Sequence, residues 1–461
     1  MSVDPVRLRA LDILVRCQRG ALLDPLLDEA LDDLRRRDPA APGAAFLAEL
    51  VRGTLQWRAR YDHLIARHSS RGLPADPRVL SILRLSLHQL LAMDKVPAYA
   101  AVDQAVRLCR RRVSGRVTGY VNGVLQAVRR AWDAVRRDGD AEAADRPDLR
   151  ALLTDPDADP AARLAVWHSH PRWLVDRWLA AYGPERTEAI LDAGNARAPL
   201  CFQVLDPGQT EAAAAVLATG GCPVKVGEGP GSLLAAGRCG RALLADLLAG
   251  LPGVIVQDVS VAAATAWLCQ PAATTPPALP VLDMCAAPGG KSVVLAGRWP
   301  GDAPVVAMDV RAERLRLLAA TVARTGSSRV LLVGGDGQAP PLPPRSCAAV
   351  LLDGPCSGTG VLRHHPDGRW RLEPQIVAAN GRRLLALARQ AVELLAPGGL
   401  LMYATCSLER EENEDVLAAL LAERDDLAPV TGDAAAAWQR RWWPTAGAGD
   451  GFFAARLRRT H

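Results

Sequence analysis

The sequence predicts three folded parts: an all-α N-terminal domain, a small α+β subdomain, and an α/β domain built on a doubly wound parallel sheet. Three observations predict this order. Apolar residues recur at helical spacing up to about residue 137, with few strand-like runs. An acidic, proline-containing stretch then interrupts the pattern. From about residue 256, short strand-like runs alternate with helix-like runs, which is typical of parallel strand–helix–strand repeats.

The first part, residues 1–140, has the spacing of a helical domain. "VRLRALDILVRCQ" places Leu8, Leu11 and Val15 on one helix face. "VLSILRLSLHQLLAM" (79–93) is apolar nearly all round, so it predicts a buried central helix. "KVPAYAAVDQAVRLCRR" and "GYVNGVLQAVRRAW" predict two more amphipathic helices.

The second part begins after a predicted linker. Residues 141–165 are rich in Asp, Ala and Pro, which favours a linker over a packed element. "WHSHPRWLVDRWLAAYG" then predicts a helix, and "APLCFQVLD" with the Gly-rich stretch 219–240 predicts a small mixed subdomain over residues 166–255.

The third part, residues 256–461, contains five strand-like runs with helix-like runs between them, notably 311–323 and 375–396. In such sheets ligands bind beyond the carboxyl ends of the strands. The predicted strands are 280–284, 304–309, 329–336, 348–353 and 399–405.

Composition excludes several classes of protein. A content of 49% hydrophobic and 23% charged residues describes a globular chain with ample core. There is no apolar run of membrane-spanning length, and charges within the first twenty residues argue against a secretory signal. None of the ten cysteines forms a C-x-x-C pair or a zinc-like cluster with histidine. We expect a cytoplasmic protein with reduced thiols and no metal site.

The charge is unevenly distributed. The formal net charge is +5, yet residues 51–137 carry 17 Lys plus Arg against 5 Asp plus Glu. The densest run is "RLCRRRVSGRVTG" (107–119), and arginine can fork onto phosphates. This asymmetry indicates a polyanionic partner.

A small-molecule site is predicted where the first strand of the α/β domain ends. In "VLDMCAAPGGKS" (281–292), Gly289 and Gly290 would let backbone N–H groups approach a ligand. Asp309, Asp336 and Asp353 end the next three strands, and a carboxylate there can bind ribose hydroxyls. The spacing fits neither a Walker A motif nor G-x-G-x-x-G, which argues against NTPases and dehydrogenases.

These segments resemble a known family. "DMCAAPGGK", "MDV…RL", "GGDG", "LLDGPCSGTGVLRHHPD" and "YATCSLEREENEDV" are similar, in order and spacing over some 180 residues, to the motifs of S-adenosylmethionine-dependent RNA cytosine-5 methyltransferases. "VPAYAAVDQAV" and "YVNGVLQ" resemble the NusB-like RNA-binding domain that precedes this unit in bacterial 16S ribosomal RNA methyltransferases. "SHPRWLVDRW" and "GDGFFAARLRR" resemble the start of the intermediate subdomain and the closing strand. The resemblance implies a Rossmann-like methyltransferase domain behind a NusB-like one.

The resemblance also implies the roles of the cofactor-binding residues. Asp309, with Arg314 nearby, would hold the ribose of S-adenosylmethionine, Asp336 the adenine edge, and Asp353 the neighbourhood of the sulfonium. S-adenosylhomocysteine would be the product. The residues expected to wrap the methionine and ribose end are Cys285, Ala286, Ala287, Pro288, Gly289, Gly290 and Lys291.

Two positions depart from the family pattern. Gly354 stands where alanine is usual, which loosens the turn before Pro355 without removing a functional group. "VQDVSVAA" (256–263) resembles the Gln-Asp-x-Ser-Ala-Gln segment but lacks its second glutamine. This second departure puts one contact, either to the cofactor or in packing, in question.

Two cysteines follow two different strands, and cytosine chemistry gives a reason for both. Carbon 5 of cytosine becomes nucleophilic only after a nucleophile adds to carbon 6, and a thiolate both attacks and departs readily. By chemistry alone either Cys356 or Cys406 could attack. The family resemblance assigns attack to Cys406, product release to Cys356, as base or through a water, and contact with the base edge to Asp353.

The loop after Cys356, "VLRHHPDGRW" (361–370), carries two histidines that could suggest a metal pair. Adjacent histidines point apart in a helix or strand, so contact with RNA phosphates, or packing for Trp370, is the expectation instead.

The sequence therefore predicts a monomeric enzyme that makes 5-methylcytosine in 16S ribosomal RNA, naked or in an assembling particle, with no membrane or DNA partner. The target base has to be flipped out or single-stranded. Two alternatives stay open: a transfer RNA cytosine-5 methyltransferase, and a non-catalytic NusB-like RNA-binding factor.

Overall fold

The computed structural model describes residues 3–37, 43–138, 149–153, 159–227, 229–237, 239–270, 278–430 and 438–461. The chain divides into two compact units. Unit 1 comprises Met1–Asn195 and His364–Arg371, and unit 2 comprises Ala196–Arg363 and Leu372–His461. Of the predicted linker 141–165, residues 141–148 and 154–158 lie outside the described residues, and the described remainder contains the helix Arg150–Leu153 and most of the helix Pro160–Trp167.

The described helices and strands follow in chain order. The helices are α1 (Pro5–Gln18), α2 (Leu23–Arg37), α3 (Gly43–Gln56), α4 (Arg58–Arg67), α5 (Pro77–Ala92), α6 (Ala98–Arg112), α7 (Thr118–Asp138), α8 (Arg150–Leu153), α9 (Pro160–Trp167), α10 (Arg172–Asn195), α11 (Thr210–Thr219), α12 (Arg241–Ala249), α13 (Val259–Leu268), α14 (Gly290–Arg298), α15 (Ala312–Thr325), α16 (Gly368–Arg371), α17 (Pro374–Leu394) and α18 (Glu414–Glu423). The strands are β1 (Cys201–Val204), β2 (Val224–Val226), β3 (Ser232–Ala235), β4 (Val254–Val256), β5 (Val281–Asp283), β6 (Val305–Asp309), β7 (Val330–Gly334), β8 (Cys347–Asp353), β9 (Leu395–Thr405), β10 (Leu427–Pro429), β11 (Gln439–Trp442) and β12 (Phe452–Arg459).

Unit 1 is helical, and Asp-Pro pairs begin three of its helices. Asp4, Asp76 and Asp159 each precede a proline at the first helical position, and each carboxylate accepts backbone N–H bonds of the first turn. The predicted central helix is α5, which buries residues all round, from Val79 to Gln89. The all-α prediction for the N-terminal part is confirmed.

The segment His364–Arg371 belongs to unit 1, and it binds the ends of three helices there. Asp367 Oδ2 accepts from the backbone N–H of Leu23, 3.3 Å away, at the start of α2. Trp370 Nε1 donates to Leu55 O at 2.7 Å, near the end of α3. Arg369 is fully buried and donates to Gly194 O at 2.7 Å and Asn195 Oδ1 at 2.8 Å, at the end of α10. These side chains satisfy polar groups that helix ends leave unpaired.

Packing inside unit 1 is therefore the structural role of the loop "VLRHHPDGRW" from His364 onward. His365 Nδ1 lies 2.9 Å from Asp24 Oδ2, and the Arg58 guanidinium lies 5.0 Å from the ring centre of Trp370. Of the two expectations for Trp370, the structure shows packing.

The small subdomain at the start of unit 2 has an antiparallel sheet of order β2-β3-β1-β4, with α11 packed against β2 and β3. The buried residues Phe202, Leu217 and Leu233 belong to its apolar core. This is the α+β subdomain expected between the helical and α/β parts.

The main sheet of unit 2 has the order β10-β12-β9-β8-β5-β6-β7, with β11 paired to β12. Strands β5 to β9 are parallel, whereas β12 is antiparallel to β9. The chain runs outward from β5 to β7 and then returns to β8 on the other side of β5. The doubly wound α/β prediction is confirmed, and the β5/β8 boundary is the topological switch point where ligands bind in such sheets.

Within the described ranges, no helix combines the length and apolarity needed to cross a membrane.

Candidate active site

The predicted site residues follow the carboxyl ends of four parallel strands. The loop 284–291 follows β5, Asp309 ends β6, Asp353 ends β8, and Cys406 follows β9. Because β5 and β8 are hydrogen-bonded neighbours and β9 adjoins β8, parallel pairing brings the loops after these strands to one sheet edge.

The loop after β5 is shaped around Gly289. This residue has φ +105°, a left-handed conformation that L side chains rarely adopt, and a Cβ there would lie 2.7 Å from Leu318 Cδ1. The loop carbonyls are held from α15, because Thr321 Oγ1 donates to Pro288 O at 2.8 Å and Arg314 donates to Ala287 O. Helix α14 begins at Gly290, so its first N–H groups face the end of β5.

Asp309 and Arg314 form a pair at the end of β6. The Asp309 side chain is 3% exposed, and its Oδ2 lies 3.3 Å from Arg314 Nη1. Within the described residues, that buried oxygen nevertheless accepts no hydrogen bond. A ligand hydroxyl would supply the missing donor, so the residues present fit a ribose.

Asp336 is placed differently from the other aspartates. It lies two residues beyond the end of β7, it is exposed, and its Oδ1 accepts from Gln338 N at 3.0 Å. In the sheet, β7 is separated from β8 by β6 and β5. Asp336 therefore lies beside the outermost of the parallel strands, on the opposite side of the site from the thiols that follow β8 and β9.

Lys291 and Asp353 form an ion pair between the β5 and β8 loops, with Nζ 2.6 Å from Asp353 Oδ2. Burial opposes the Lys291 charge, but Asp353, Asp283 and Cys406 outweigh it, so the pKa of Lys291 is raised. A fixed ammonium thus lies within electrostatic reach of the Cys406 sulfur.

The two cysteines lie together, as their positions after adjacent strands predict. Cys356 Sγ and Cys406 Sγ are 3.4 Å apart, within hydrogen-bond distance for sulfur. The hydrogen bond to Cys406, followed by burial, raises the pKa of Cys356 well above its ordinary value. Burial and three nearby aspartates raise the pKa of Cys285, the third thiol of this edge, to about 12.

Backbone and hydroxyl hydrogen bonds join the loops that carry the two thiols. Gly360 N donates to Cys406 O at 2.9 Å, and Leu408 N donates to Thr359 Oγ1 at 2.9 Å. A Cβ on Gly360 would lie 2.3 Å from Gly451 O, so this approach of two backbones requires glycine. Main-chain and hydroxyl contacts therefore help to hold the two thiols together.

Sequence reasoning missed Arg363, which closes the Cys356 loop. Its side chain is 2% exposed and donates to Asp450 Oδ1 at 2.7 Å and Ala448 O at 2.9 Å, and it lies 3.4 Å from Asp258 Oδ2. Burial, followed by the neighbouring Asp450, raises the pKa of Asp258. Asp258 lies in "VQDVSVAA" and Asp450 in "GDGFFAARLRR", so both aspartates belong to recognisable motifs, but no local pattern joins segments so far apart in sequence.

The structure accounts for the first departure from the family pattern. A Cβ on Gly354 would lie 2.2 Å from Cδ2 of Leu384, a fully buried side chain of α17. Leu384 thus occupies the space that alanine would need. At the second departure, Ala262 is 6% exposed in α13, so the position of the absent glutamine is a packing position here.

Asp283 gives this edge a pH-dependent stability. It is 1% exposed, Ser292 Oγ donates to its Oδ2 at 2.7 Å, and Oδ1 has no partner among the described residues. Burial raises its pKa to about 7, above the value near 4 expected in the unfolded chain. The protonated form is therefore favoured in the folded state, and the stability it contributes is lost as pH rises from about 4 through 7.

We expect D283N, which keeps an acceptor for Ser292, to remove this dependence. At pH 8 the variant should be more stable than the parent by up to about 4 kcal/mol, and at pH 4 by little. Thermal unfolding of both proteins across this range measures the difference. D302N, at an exposed position, is the control. An increase in the stability of D283N that is equal at pH 4 and pH 8 would contradict the prediction.

Comparisons with known proteins agree with this architecture. The family model described as 16S rRNA methyltransferase RsmB/F matches residues 274–458. The NusB family matches residues 4–130, and the RsmF/B-like ferredoxin-like domain matches residues 170–225.

Full-length relatives and a solved structure extend the similarity. "Ribosomal RNA small subunit methyltransferase B" of Sodalis glossinidius is 32% identical over 95% of this chain and 93% of its own. The "probable" enzyme of the same name from Bacillus subtilis is 29% identical over 93% and 91%. The crystal structure of PH0851 covers 99% of both chains with a TM-score of 0.74 at 23% identity, which shows the fold alone.

The glycine turn after β5, the ribose-compatible carboxylate at the end of β6 and the matching methyltransferase family model together define an S-adenosylmethionine-dependent methyltransferase. With the relatives that match nearly end to end, the chain belongs to the RsmB/F family of 16S ribosomal RNA methyltransferases. The family resemblance found in the motifs is thereby confirmed.

Proposed function

We propose that the protein transfers a methyl group to carbon 5 of a cytosine in 16S ribosomal RNA through a covalent adduct between a cysteine and carbon 6. The observation that carries this proposal is the 3.4 Å separation of Cys356 Sγ and Cys406 Sγ beside the Lys291–Asp353 pair. Methylation of an exocyclic amine or a hydroxyl would require no such pair of thiols.

In this reaction Cys406 attacks carbon 6. Asp353, paired with Lys291, hydrogen-bonds the edge of the cytosine during addition. Bound S-adenosylmethionine supplies an electrophilic methyl group at carbon 5. Cys356 promotes the later departure of Cys406, as base or through a water.

The cofactor roles are assigned on the same edge of the sheet. The loop from Cys285 through Ala286, Ala287, Pro288, Gly289 and Gly290 to Lys291 would face the methionine and ribose end. Asp309 would hold the ribose hydroxyls, with Arg314 fixing both that carboxylate and Ala287 O. Asp336, exposed beyond β7, would bind the adenine edge.

The helical unit carries the proposed RNA-binding surface. Arg110, Arg111 and Arg116 are exposed where α6 ends and α7 approaches. Their neighbours Arg107 and Arg112 are paired with Asp103 and Asp12, whereas none of these three forms an ion pair with a described residue. Exposed guanidinium groups without an acidic partner are suited to phosphates.

We expect replacement of Arg110, Arg111 and Arg116 by alanine to weaken RNA binding about 10- to 100-fold at about 0.1 M salt. The slope of log affinity against log salt should become shallower by about two, because binding through fewer phosphate contacts releases fewer counterions from the RNA. A filter-binding or anisotropy titration at several salt concentrations measures both. Arg389→Ala, an exposed α17 arginine paired with Glu423, is the control and should leave the slope unchanged.

Nucleoside analysis tests the proposed function. The protein and S-adenosylmethionine are incubated with one RNA substrate at a time: 16S RNA, assembling small-subunit particles or transfer RNA. We expect 5-methylcytosine in the first or second substrate. Methylation of transfer RNA alone would favour that alternative, and RNA binding without any methylation would favour the non-catalytic factor.

A further inference from the structure

A buried carboxylate, Glu412, lies between the two thiol loops and has no place in the mechanism above. We propose that Glu412 is a positioning residue that fastens the Cys356 loop to the Cys406 loop and keeps Cys356 a neutral thiol, able to donate a hydrogen bond to the Cys406 sulfur. This inference rests on the proposed function and deepens it, because it distinguishes the roles of the two thiols.

The contacts of Glu412 reach both loops. Ser357, the residue after Cys356, donates its backbone N–H to Glu412 Oε1 at 2.8 Å and its hydroxyl to Oε2 at 2.6 Å. Ser407, the residue after Cys406, hydrogen-bonds to the same carboxylate, as does Asn380 of α17. Glu412 is 0% exposed, and all these partners are neutral.

Glu412 is itself held rigidly. The Tyr403 hydroxyl donates to the backbone carbonyl of Glu412, and the backbone N–H of Glu412 donates to Glu409 O at 3.2 Å. Helix α17 packs so closely that a Cβ on Gly381 would lie 2.3 Å from Glu411 O. The backbone that carries the carboxylate is therefore held in place, which is the property a positioning residue needs.

The groups facing Cys356 are acidic or neutral. They are Cys406 from the loop after β9, Glu412 from the 3-10 turn Arg410–Glu412, and Tyr403 from β9, with Asp353 three residues earlier in its own loop. The Lys291 ammonium is paired with Asp353 and lies within electrostatic reach of Cys406. The hydrogen bond to Cys406 and burial raise the pKa of Cys356 most, and the negative charge of Glu412 acts in the same direction.

A neutral Cys356 has a defined task when the adduct breaks down. The proton on carbon 5 passes to a water molecule, its electron pair forms the double bond between carbons 5 and 6, and the bond from carbon 6 to Cys406 Sγ breaks. The electron pair of that bond remains on the Cys406 sulfur, which accepts a hydrogen bond from the Cys356 thiol. Release is then assisted by a donor and needs no second thiolate.

The variant E412Q separates charge from geometry. Its amide oxygen can accept from Ser357 N while its NH2 group donates to Ser357 Oγ. Both contacts to Ser357 therefore survive, and the negative charge is lost. S357A is the complementary variant, since it loosens the same contacts but keeps the carboxylate. D415N, which removes one charge from an exposed residue paired with Arg410, is the matched control.

The readout is the pH profile of iodoacetamide alkylation at each cysteine of the full chain without RNA, followed by peptide mass spectrometry. We expect E412Q to raise alkylation of Cys356 at pH 7.5 by about tenfold, equivalent to a profile moved by about one pH unit, while S357A and D415N keep the parental midpoint. With 16S RNA, E412Q should also accumulate more denaturation-resistant adduct than the parent.

A Cys356 profile in E412Q within about twofold of the parent overturns the charge role, as does an equal shift in S357A, which would indicate loosening alone. Because alkylation is measured without RNA, failure of the proposed function is a separate result: the parent would then methylate no RNA, whatever the thiol profiles show.

Discussion

Replacing Cys406 by alanine is expected to lower methyl transfer to RNA by about a thousandfold or more, because carbon 5 of cytosine is not nucleophilic until a thiolate adds to carbon 6. Replacing Cys356 by alanine should have a different effect. Addition and methyl transfer can proceed, but Cys406 loses the partner 3.4 Å from its sulfur and departs slowly. The Cys356→Ala protein should therefore accumulate an RNA adduct that survives denaturation.

A denaturing gel of each variant with 16S RNA and S-adenosylmethionine measures both effects. Cys347→Ala is the matched control, since it removes a buried cysteine from the start of β8, the strand that precedes the Cys356 loop. An adduct in Cys406→Ala but not in Cys356→Ala would indicate that Cys356 attacks carbon 6 and Cys406 promotes release. Absence of an adduct from both, with an active parent enzyme, would contradict the two-thiol mechanism.

Arg369→Ala is expected to destabilise unit 1 by about 3 kcal/mol or more, although residue 369 lies far along the chain from the helices it contacts. The buried guanidinium donates to Gly194 O, Asn195 Oδ1 and Ser169 O, and no carboxylate is among these partners. It is stabilised instead by the carbonyl-rich end of α10, where a cation is favourable. Alanine would leave these buried acceptors unpaired and a cavity beside them.

Hydrogen exchange resolved by peptide measures this effect where it should occur, in α10 and the segments around residues 169 and 195. Arg371→Ala is the control, because its side chain is 38% exposed and pairs only with Asp367 among the described carboxylates. Equal protection of α10 in Arg369→Ala and the parent would show that the segment is dispensable for unit 1. Faster exchange confined to β5–β9 would contradict the assignment of residues 364–371.

Local patterns in the sequence were sufficient for the family and for most elements, but not for α8 and α9, which lie wholly or largely within the predicted linker 141–165. The Asp-Pro pairs that begin α1, α5 and α9 act through bonds within one helical turn, so a short window of sequence contains them. The all-round apolar run of α5 and the short apolar runs of β5, β6, β8 and β9 report burial directly, whereas the equally apolar β7 exposes Leu331 and Leu332 at the end of the sheet. The glycine turn and the two post-strand cysteines could be located because each motif is contiguous.

Which of these pieces meet was decided only by the tertiary structure. The sequence alone determined two thiols after two strands, a glycine turn, a set of strand-end aspartates and a basic helical segment. The tertiary structure determined that Glu412 accepts hydrogen bonds from Ser357 and that Arg363 forms ion pairs with Asp258 and Asp450. It also determined that residues 364–371 bind helix ends in unit 1. Each of these contacts joins polar groups distant in the chain, and their energy comes from burial and from pairing that no local pattern encodes.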